Sequence, residues 1–401
     1  MRTERPLARR ILIVGELVRV FDTTLRDGDQ MPGVELSLED KIDIVKLLDE
    51  VGVDVIEAGF PASSRIDFET IKLAVREVGS ARVAALARCS KRDIEEAAAS
   101  EAQIIHVFIA TSDIHLRYKL NISREQVIES VISSIDLVRE LGAEALFSAE
   151  DATRSDKDFL VKVYRAAVSA GARYINIPDT VGVATPWTFM KLVRRIASAL
   201  PPGVKIDVHC HNDFGMATAN SLAAIEEGAD GVQVTVNGFG ERSGNAPLEE
   251  VVAALHFLMG RKTRVKLERL TEVSRFVAEK FGVSLQPHKP IVGINAFAHE
   301  SGIHVHGVLS NPLTYEPIRP EDVGNKRRIV LGRHSGRHSV SWALEQMGIK
   351  PEPSLVAFVL ERIKEVAPRM KKVPEEQISR WVEEYFARGV TLNASGRSNT
   401  G

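Results

Sequence analysis

Short apolar runs alternate with longer amphipathic segments along the first two thirds of the chain, and this alternation repeats eight times. The runs are rich in β-branched residues, which is typical of strands buried on both faces. They lie at Val18–Thr24, Val53–Phe60, Arg82–Ala87, Ile104–Ala110, Ala145–Ala149, Tyr174–Pro178, Lys205–Cys210 and Gly231–Val236. Eight such units predict an α/β fold, a (β/α)8 TIM barrel, whose active site lies at the carboxyl ends of the strands.

The segments between these strands carry the end signals of helices. We predict helices over Leu38–Val51, Glu125–Leu141 and Leu248–Leu258, the first two preceded by the N-capping residues Ser37 and Ser123. Glycines follow four helices where a left-handed C-cap is favoured: Gly52, Gly142, Gly171 and Gly228. The alternative is an open doubly wound sheet, but no Gly-x-Gly-x-x-Gly turn follows the first strand, which excludes its usual dinucleotide-binding form.

The pattern changes after residue 261, where a smaller, mostly helical C-terminal region is predicted. A helix over Leu270–Phe281 leads to a proline-containing boundary at Pro287–Pro290, and a helical region over Ser354–Arg388 ends the ordered chain. We therefore expect an N-terminal extension at 1–17, the catalytic barrel at 18–286, a linker subdomain contributing to the active site at 287–345, a helical subdomain at 346–392 and a disordered tail at 393–401.

Composition favours small-molecule chemistry in the cytoplasm. The 52 basic and 54 acidic side chains give a formal net charge of −2, which argues against a nucleic-acid or anionic-membrane partner. Cys89 and Cys210 lie far apart and imply no disulfide framework, so a reducing compartment is expected. The apolar run Ile11–Val14 is too short for a signal peptide or a membrane span.

Polar residues concentrate at the predicted strand ends. They lie at Asp22–Asp29 after the first strand, Ser148–Asp151 after the fifth, Pro178–Thr180 after the sixth, His209–Asp213 after the seventh and Asn237–Gly238 after the eighth. Charged groups at the mouth of a barrel cost folding free energy unless they bind something. These strand ends therefore indicate a functional site.

His209 and His211 are two residues apart on a strand, so their imidazoles share one face and can bind the same metal ion. An ordinary pair of core or surface histidines is the alternative, and the clustering of carboxylates and amides at neighbouring strand ends counts against it. Oxygen ligands from Asp27 and Asn245 would complete a mixed set that suits Mg²⁺ or Mn²⁺ and does not exclude Zn²⁺.

Two further charged residues at strand ends have alternative interpretations. Arg26 is either the partner of Asp27 in a plain surface ion pair or, beside a metal, a stabiliser of a developing oxyanion. Glu150 either caps the following helix or acts on a substrate.

The C-terminal region contains a group of histidines at His299, His304 and His306. Their spacings of 5 and 2 match no standard zinc pattern, and no cysteine accompanies them, so one catalytic histidine is favoured over a second metal site. The basic run Lys326–Arg328 is interpreted as a solvated loop, with phosphate binding as the alternative.

Four motifs carry a resemblance to a known family. They are Phe-Asp-Thr-Thr-Leu-Arg-Asp-Gly-Asp-Gln at 21–30, His-Cys-His-Asn-Asp at 209–213, Asn-Gly-Phe-Gly-Glu-Arg-Ser-Gly-Asn-Ala at 237–246 and His-Glu-Ser-Gly-Ile-His at 299–304. From Val18 to about Gly348 the chain resembles the 2-isopropylmalate, homocitrate and citramalate synthases of the DRE-TIM metallolyase superfamily. The resemblance implies a Claisen-type condensation of acetyl-CoA with a 2-oxo acid, followed by thioester hydrolysis.

The resemblance also implies roles for particular residues. The ligands of a divalent metal would be Asp27, His209 and His211, with Asn245 close by or ligating, and the 2-oxo acid would chelate this metal.

Arg26 would stabilise the developing alkoxide and Thr180 would hold the substrate carboxylate, as the same resemblance implies. Glu150, with His304 and Tyr315 of the C-terminal region, would deprotonate the acetyl methyl and handle the later water attack. A homodimer is expected in which this region reaches the partner's barrel.

The choice of 2-oxo acid depends on a few positions. Leu86 stands where homocitrate synthases tend to have a histidine, His106 and Ser148 match pocket positions of isopropylmalate synthases, and Asn237 is counted with the substrate-binding residues. The loop at 59–64 also looks like the isopropylmalate synthase version. An apolar Leu86 favours 2-oxoisovalerate, hence 2-isopropylmalate and leucine biosynthesis, with 2-oxoglutarate and pyruvate as alternatives.

Other classes of protein fit these motifs less well. A lyase such as hydroxymethylglutaryl-CoA lyase generally lacks the second domain with His-Glu-Ser-Gly-Ile-His, and a non-catalytic barrel predicts gaps among the site residues, of which we find none. The sequence stops at residue 401 without the regulatory domain of long isopropylmalate synthases, so we expect no leucine feedback through such a domain.

Overall fold

The structure is a computed structural model that describes residues 17–370 and 373–395, with only the backbone for 389–395. It divides into two compact units, Met1–Leu285 and Gln286–Gly401. Most of the expected N-terminal extension, residues 1–16, and most of the expected disordered tail, residues 396–401, lie outside the described residues.

Eight parallel strands close into a barrel in which each strand pairs with the next and the last pairs with the first. The strands are β1 (Arg19–Asp22), β2 (Val55–Glu57), β3 (Arg82–Arg88), β4 (Ile104–Ala110), β5 (Glu144–Glu150), β6 (Tyr174–Asp179), β7 (Lys205–Cys210) and β8 (Gly231–Val234). All eight predicted strands are present, and the (β/α)8 barrel is confirmed.

Helices connect successive strands of the barrel, and two more follow the last strand. They are α1 (Leu38–Val51), α2 (Arg65–Glu77), α3 (Lys91–Ala99), the short α4 (Asp113–His115), α5 (Arg124–Glu140), α6 (Lys157–Ala170), α7 (Pro186–Ala199), α8 (Ala217–Glu226), α9 (Leu248–Phe257) and α10 (Leu270–Lys280). Both predicted N-caps are confirmed, because the Ser37 and Ser123 hydroxyls accept hydrogen bonds from the backbone N–H groups of Asp40 and Gln126. The four predicted C-cap glycines all have positive φ, between 83° and 111°.

The amino-terminal end of the barrel interior is filled by a buried ion pair. Arg19 Nη2 donates to Asp207 Oδ2 at 2.6 Å, and the guanidinium lies over the ring of Tyr174. The strand register places Gly231 beside both residues of the pair. This layer therefore closes the end of the barrel opposite the carboxyl ends of the strands.

Within its described residues, the second unit contains a small parallel sheet and four α-helices. The sheet pairs β9 (Ala298–His299) with β10 (Arg328–Ile329), and the helices are α11 (Gly302–Ser310), α12 (Arg337–Gln346), α13 (Pro353–Val366) and α14 (Glu375–Ser395). A separate apolar core, including Leu344, Val359 and Trp381, joins the last three helices. Among the residues that the structure describes, no helix is long and apolar enough to cross a membrane.

Replacing Gly231 with alanine tests the ion-paired layer. A Cβ atom at this position would overlap Oδ1 of Asp207, whose Oδ2 accepts a hydrogen bond from Arg19, and would lie 3.0 Å from the Arg19 carbonyl oxygen. We expect Gly231→Ala to lower the free energy of unfolding by about 1–3 kcal/mol, measured by urea denaturation. The control is Gly79→Ala, whose Cβ would approach Asp49 Oδ2 only to 3.6 Å. Equal stability of the two variants would show that the layer tolerates extra volume.

Candidate active site

A cavity of about 370 Å³ opens at the carboxyl ends of the barrel strands. The structure brings most of the predicted site residues of the first unit to it. Those that line it are Arg26, Asp27, Leu86, His106, Ser148, Glu150, Thr180, His209 and His211. Residues separated by up to about half the chain therefore converge at the position that the barrel topology predicted.

The three predicted metal ligands of this group form a buried cluster. Each of Asp27, His209 and His211 offers one ligand atom, and these atoms all lie within 4.8 Å of one another. Asp27 Oδ2 is 3.3 Å from His209 Nε2 and 3.9 Å from His211 Nε2. Nitrogen and oxygen atoms converging in this way are what a divalent cation needs from a protein.

The protonation of these groups fits a cation. Burial and the neighbouring His209 lower the pKa of His211 to about 4, so its ring is neutral and keeps a free lone pair. Burial opposes ionisation of Asp27, but Arg26 and the two histidines hold the pKa of this carboxyl well below its usual range. Gln233 Oε1 lies 3.0 Å from His209 Nδ1, which leaves Nε2 to face Asp27.

Asn245 lies next to this cluster with an unused acceptor. Its Nδ2 donates to the carbonyl of Phe239 at 3.0 Å and to Asp27 Oδ1 at 3.3 Å, whereas its buried Oδ1 has no hydrogen-bond partner in the described part of the chain. A buried oxygen acceptor without a donor beside a carboxylate is suited to a cation. The residues present therefore fit a divalent metal ion.

A tight glycine-rich turn positions Asn245 at the end of β7. The backbone N–H of Ala246 donates to the carbonyl oxygen of Cys210, and the backbone N–H of Asn212 donates to the carbonyl oxygen of Gly244. Gly244 has a φ of 80°, and a Cβ at this position would overlap the carbonyl oxygen of Gly238. The glycine allows the backbone to turn sharply enough to lie against His211.

Arg26 belongs to a chain of buried polar contacts. Its Nη1 donates to Asp27 at 2.6 Å and its Nε donates to Glu57 at 2.5 Å. The other oxygen of Glu57 lies 2.6 Å from His106 Nδ1, and His106 Nε2 lies 2.6 Å from Ser148 Oγ. Arg26 is therefore not half of a plain surface ion pair, since its side chain is only 11% exposed and lies at the cavity wall between two carboxylates.

Glu57 is a site residue that the sequence analysis did not predict. It is fully buried at the end of β2, and burial opposes its ionisation, yet Arg26 and His106 lower its pKa to about 2. The signal that was available is a carboxylate inside an otherwise apolar strand. Such a residue needs a partner, and this partner is Arg26.

Glu150 lies at the end of β5 and reaches the cavity. Its Oε1 accepts a hydrogen bond from Lys119 Nζ at 2.6 Å, while Asp156 caps helix α6, so the capping alternative for Glu150 is wrong. Thr180 Oγ1 accepts from the backbone N–H of Asp151 at 2.9 Å. Glu150 and Thr180 thus line the same cavity as the metal cluster.

The remaining predicted residues are not among those that line this cavity. Asn237 is not among the cavity-lining residues, because a φ of 62° turns it towards α10, where its Nδ2 donates to the Ser274 carbonyl at 2.8 Å. His304 and Tyr315 belong to the second unit, where their ring centroids are 4.4 Å apart. In the basic run Lys326–Arg328, Arg327 pairs with Glu316 at 2.6 Å.

Comparison with known proteins identifies the family. The HMGL-like family matches residues 17–277, and the homocitrate synthase post-HMGL domain-like family matches residues 291–371. The chain is 53% identical to a probable 2-isopropylmalate synthase of Methanopyrus kandleri, over 88% of this chain and 70% of that protein. It is 52% identical to the 2-isopropylmalate synthase of Sulfurisphaera tokodaii, over 89% of this chain and 92% of that protein. The chain belongs to the 2-isopropylmalate synthase family.

The resemblance inferred from the four motifs is thereby confirmed, and the family makes this chain a transferase. Comparison with solved structures provides independent evidence for the fold. The HMG-CoA lyase of Bacillus subtilis superposes with a TM-score of 0.61 at 24% identity, over 67% of this chain and 95% of that one. At this identity the likeness is evidence of a shared barrel alone.

Removing one ligand tests the metal cluster directly. We expect His209→Ala to weaken Mn²⁺ binding by more than about 100-fold, because even outer-shell partners of a metal contribute up to that factor. Isothermal titration calorimetry measures the binding, and circular dichroism checks the fold. His256→Ala, at an exposed position on α9, is the matched control and should bind Mn²⁺ normally. Undiminished Mn²⁺ binding by His209→Ala would show that the metal site lies elsewhere.

Glu57→Gln tests the buried chain of contacts through its pH dependence. The pKa of about 2 in the folded state lies below the ordinary 4.5, so ionised Glu57 stabilises the fold fully above about pH 4.5, and this contribution is lost as the pH falls towards 2. We expect the variant to be less stable at neutral pH by on the order of 3 kcal/mol. The difference in free energy of unfolding between the variant and the parent should become smaller when urea denaturation is measured at progressively lower pH.

The matched control for this prediction is Glu77→Gln, which removes an exposed carboxylate paired with Lys46 at 3.1 Å. An exposed pair contributes about 0–1 kcal/mol, so this variant should stay close to the parent protein at every pH. If the loss of stability in Glu57→Gln does not change with pH, the role assigned to the ionised carboxylate is contradicted.

Proposed function

We propose that this enzyme condenses acetyl-CoA with a 2-oxo acid, with 2-oxoisovalerate as the best candidate, and hydrolyses the resulting thioester to give 2-isopropylmalate for leucine biosynthesis. The observation that carries the proposal is the buried cluster of Asp27, His209 and His211 beside Arg26 in one cavity. The identity of about 50% with 2-isopropylmalate synthases supports it.

Asp27, His209 and His211, with the free Oδ1 of Asn245, would hold the divalent cation. When bound, this cation supplies Lewis-acid polarisation of the keto group of a chelating 2-oxo acid. The mixed oxygen and nitrogen donors favour Mg²⁺ or Mn²⁺, with Zn²⁺ as the alternative.

Arg26 provides positive charge where negative charge develops. Its guanidinium is fixed by hydrogen bonds to Asp27 and Glu57, so it needs no reorientation when a carbonyl oxygen at the cavity becomes an alkoxide. Thr180 is proposed to bind the carboxylate of the 2-oxo acid. Glu150 is proposed to take the proton from the acetyl methyl group, and it lines the same cavity.

The apolar part of the cavity wall supports a branched aliphatic substrate. Phe60, Leu86 and Phe108 supply this part of the lining. His106 and Ser148 are already hydrogen-bonded to each other, and His106 also contacts Glu57. The second carboxylate of 2-oxoglutarate would have to be desolvated against this wall, which is costly, whereas the methyl groups of 2-oxoisovalerate are stabilised by burial.

A lyase is the second candidate function, because the solved HMG-CoA lyases share the barrel. Those structures cover 67% of this chain, whereas the post-HMGL match at residues 291–371 lies beyond the barrel. The additional region favours the synthase reaction.

Release of free CoA from acetyl-CoA, measured with a panel of 2-oxo acids and Mg²⁺ or Mn²⁺, tests the proposed function. We expect kcat/KM with 2-oxoisovalerate to exceed that with pyruvate or 2-oxoglutarate by about tenfold or more. Preference for 2-oxoglutarate would overturn the substrate assignment and leave the condensation standing. No CoA release with any member of the panel would overturn the condensation itself.

Leu86→Ala provides the specificity control for the same assay. Leu86 is 7% exposed at the cavity wall, and its truncation leaves space for about three more carbon atoms. Activity should therefore move from 2-oxoisovalerate towards longer aliphatic 2-oxo acids. An unchanged order of preference would mean that Leu86 does not contact the substrate.

We further propose that the enzyme is a cytoplasmic homodimer in which His304 and Tyr315 complete the site of the partner's barrel. The free thiols of Cys89 and Cys210 support the reducing compartment. Coexpression of differently tagged His209→Ala and His304→Ala chains tests the exchange. Each variant alone should be inactive, whereas the purified heterodimer has one intact site and should show about half of the parent activity. An inactive heterodimer would contradict the exchange.

A further inference from the structure

His115 and Asp151 are two ionisable residues that have no role in the reaction proposed above. His115 ends the short helix α4, lines the cavity, and has a side chain that is 21% exposed. Its Nδ1 lies 2.9 Å from Oδ2 of Asp151, which is fully buried after β5. An imidazole that is supported from behind by a carboxylate and faces a cavity has the arrangement of a general base.

Asp151 is held firmly in this position. Arg154 Nε donates to its two carboxylate oxygens at 2.8 and 3.0 Å, and Thr180 Oγ1 accepts from its backbone N–H. Its backbone is in the left-handed region, with φ 63° and ψ 38°. This conformation directs Asp151 towards His115, while the preceding Glu150 reaches the cavity and Lys119.

The hydrogen bond fixes which nitrogen of His115 can act. With Nδ1–H donating to the carboxylate of Asp151, the neutral ring carries its lone pair on Nε2. Nε2 makes no hydrogen bond within the described part of the chain, whereas Nδ1 also lies 2.9 Å from Ser112 Oγ. The charged groups around this pair include Arg154, which pairs with Asp151, Lys157, whose charge interacts with Asp151, and the neighbouring ion pair of Glu150 with Lys119.

We propose that His115 is the general base of the thioester hydrolysis, with Asp151 as its positioning residue. The proposal rests on the proposed function, because it concerns the second half of that reaction. As the oxygen of water bonds to the thioester carbonyl carbon, a proton passes from water to Nε2. The tetrahedral intermediate then breaks its carbon–sulfur bond, and the imidazolium returns the proton to the CoA thiolate. The products are the free acid and CoA, and Glu150 serves the condensation.

His115→Asn separates the two halves of the reaction. An asparagine amide near the position of Nδ1 keeps a donor for Asp151 but provides no base at the position of Nε2. In rapid-quench experiments with the metal-loaded enzyme, acetyl-CoA and 2-oxoisovalerate, we expect an unchanged rate of condensation. Hydrolysis should fall by about 100-fold or more, so the condensed acyl-CoA accumulates and is detected by mass spectrometry.

Asp113→Ala is the matched control, because it frees the same short helix from its exposed ion pair with Arg124 without touching the cavity. Both rates should be unchanged in this variant. Asp151→Asn should slow hydrolysis by about tenfold or more and leave condensation unchanged, because the amide no longer holds the ring of His115 with Nδ1–H towards it and Nε2 free.

Equal losses of condensation and hydrolysis in His115→Asn, or no accumulated acyl-CoA, would overturn the role of His115. Failure of the parent enzyme to form either the condensed acyl-CoA or the free acid derived from it would instead overturn the proposed function. The two failures are therefore distinguishable in one experiment.

Discussion

The buried contact of Arg26 with Asp27 and Glu57 is the interaction on which the site depends. Burying one guanidinium with two carboxylates carries a large desolvation penalty, which their mutual attraction offsets only if the geometry is good. Because two carboxylates face one guanidinium, this group keeps an excess of negative charge beside the free oxygen of Asn245. A divalent cation compensates that charge. The charges of the protein by themselves therefore favour binding of the metal ion that the proposed chemistry needs.

The closed barrel makes this arrangement possible because every strand ends at the same rim. Arg26 and Asp27 follow β1, Glu57 ends β2, and the histidines end β7 and follow it. Parallel pairing around the whole sheet fixes the positions of these ends relative to one another. The Arg19–Asp207 layer at the opposite end fills the interior, so the polar groups at the mouth rest on a packed support.

The sequence predicted what is local and periodic. Apolar runs locate the eight strands to within a few residues, and the spacing of His209 and His211 puts both rings on one side. It did not predict contacts that depend on the direction of a side chain after a strand end. Glu57 lies inside a run that was predicted only as a strand. Asn237 was predicted to lie at the barrel rim, but its positive φ turns its side chain towards α10. Both outcomes depend on partners distant in sequence, which periodicity does not reveal.

The same limit explains why the contact between His115 and Asp151 emerges only from the structure, although Asp151 lies at a strand end that the sequence marked as polar. Asp151 occupies a left-handed backbone conformation that glycine adopts without strain, and a residue with a Cβ does so at a cost of about 1 kcal/mol. Glycine would relieve that strain but would leave His115 and Arg154 without their carboxylate. Strain at a buried acid that supports a cavity-facing imidazole is therefore better explained by the chemistry of the site than by the stability of the turn.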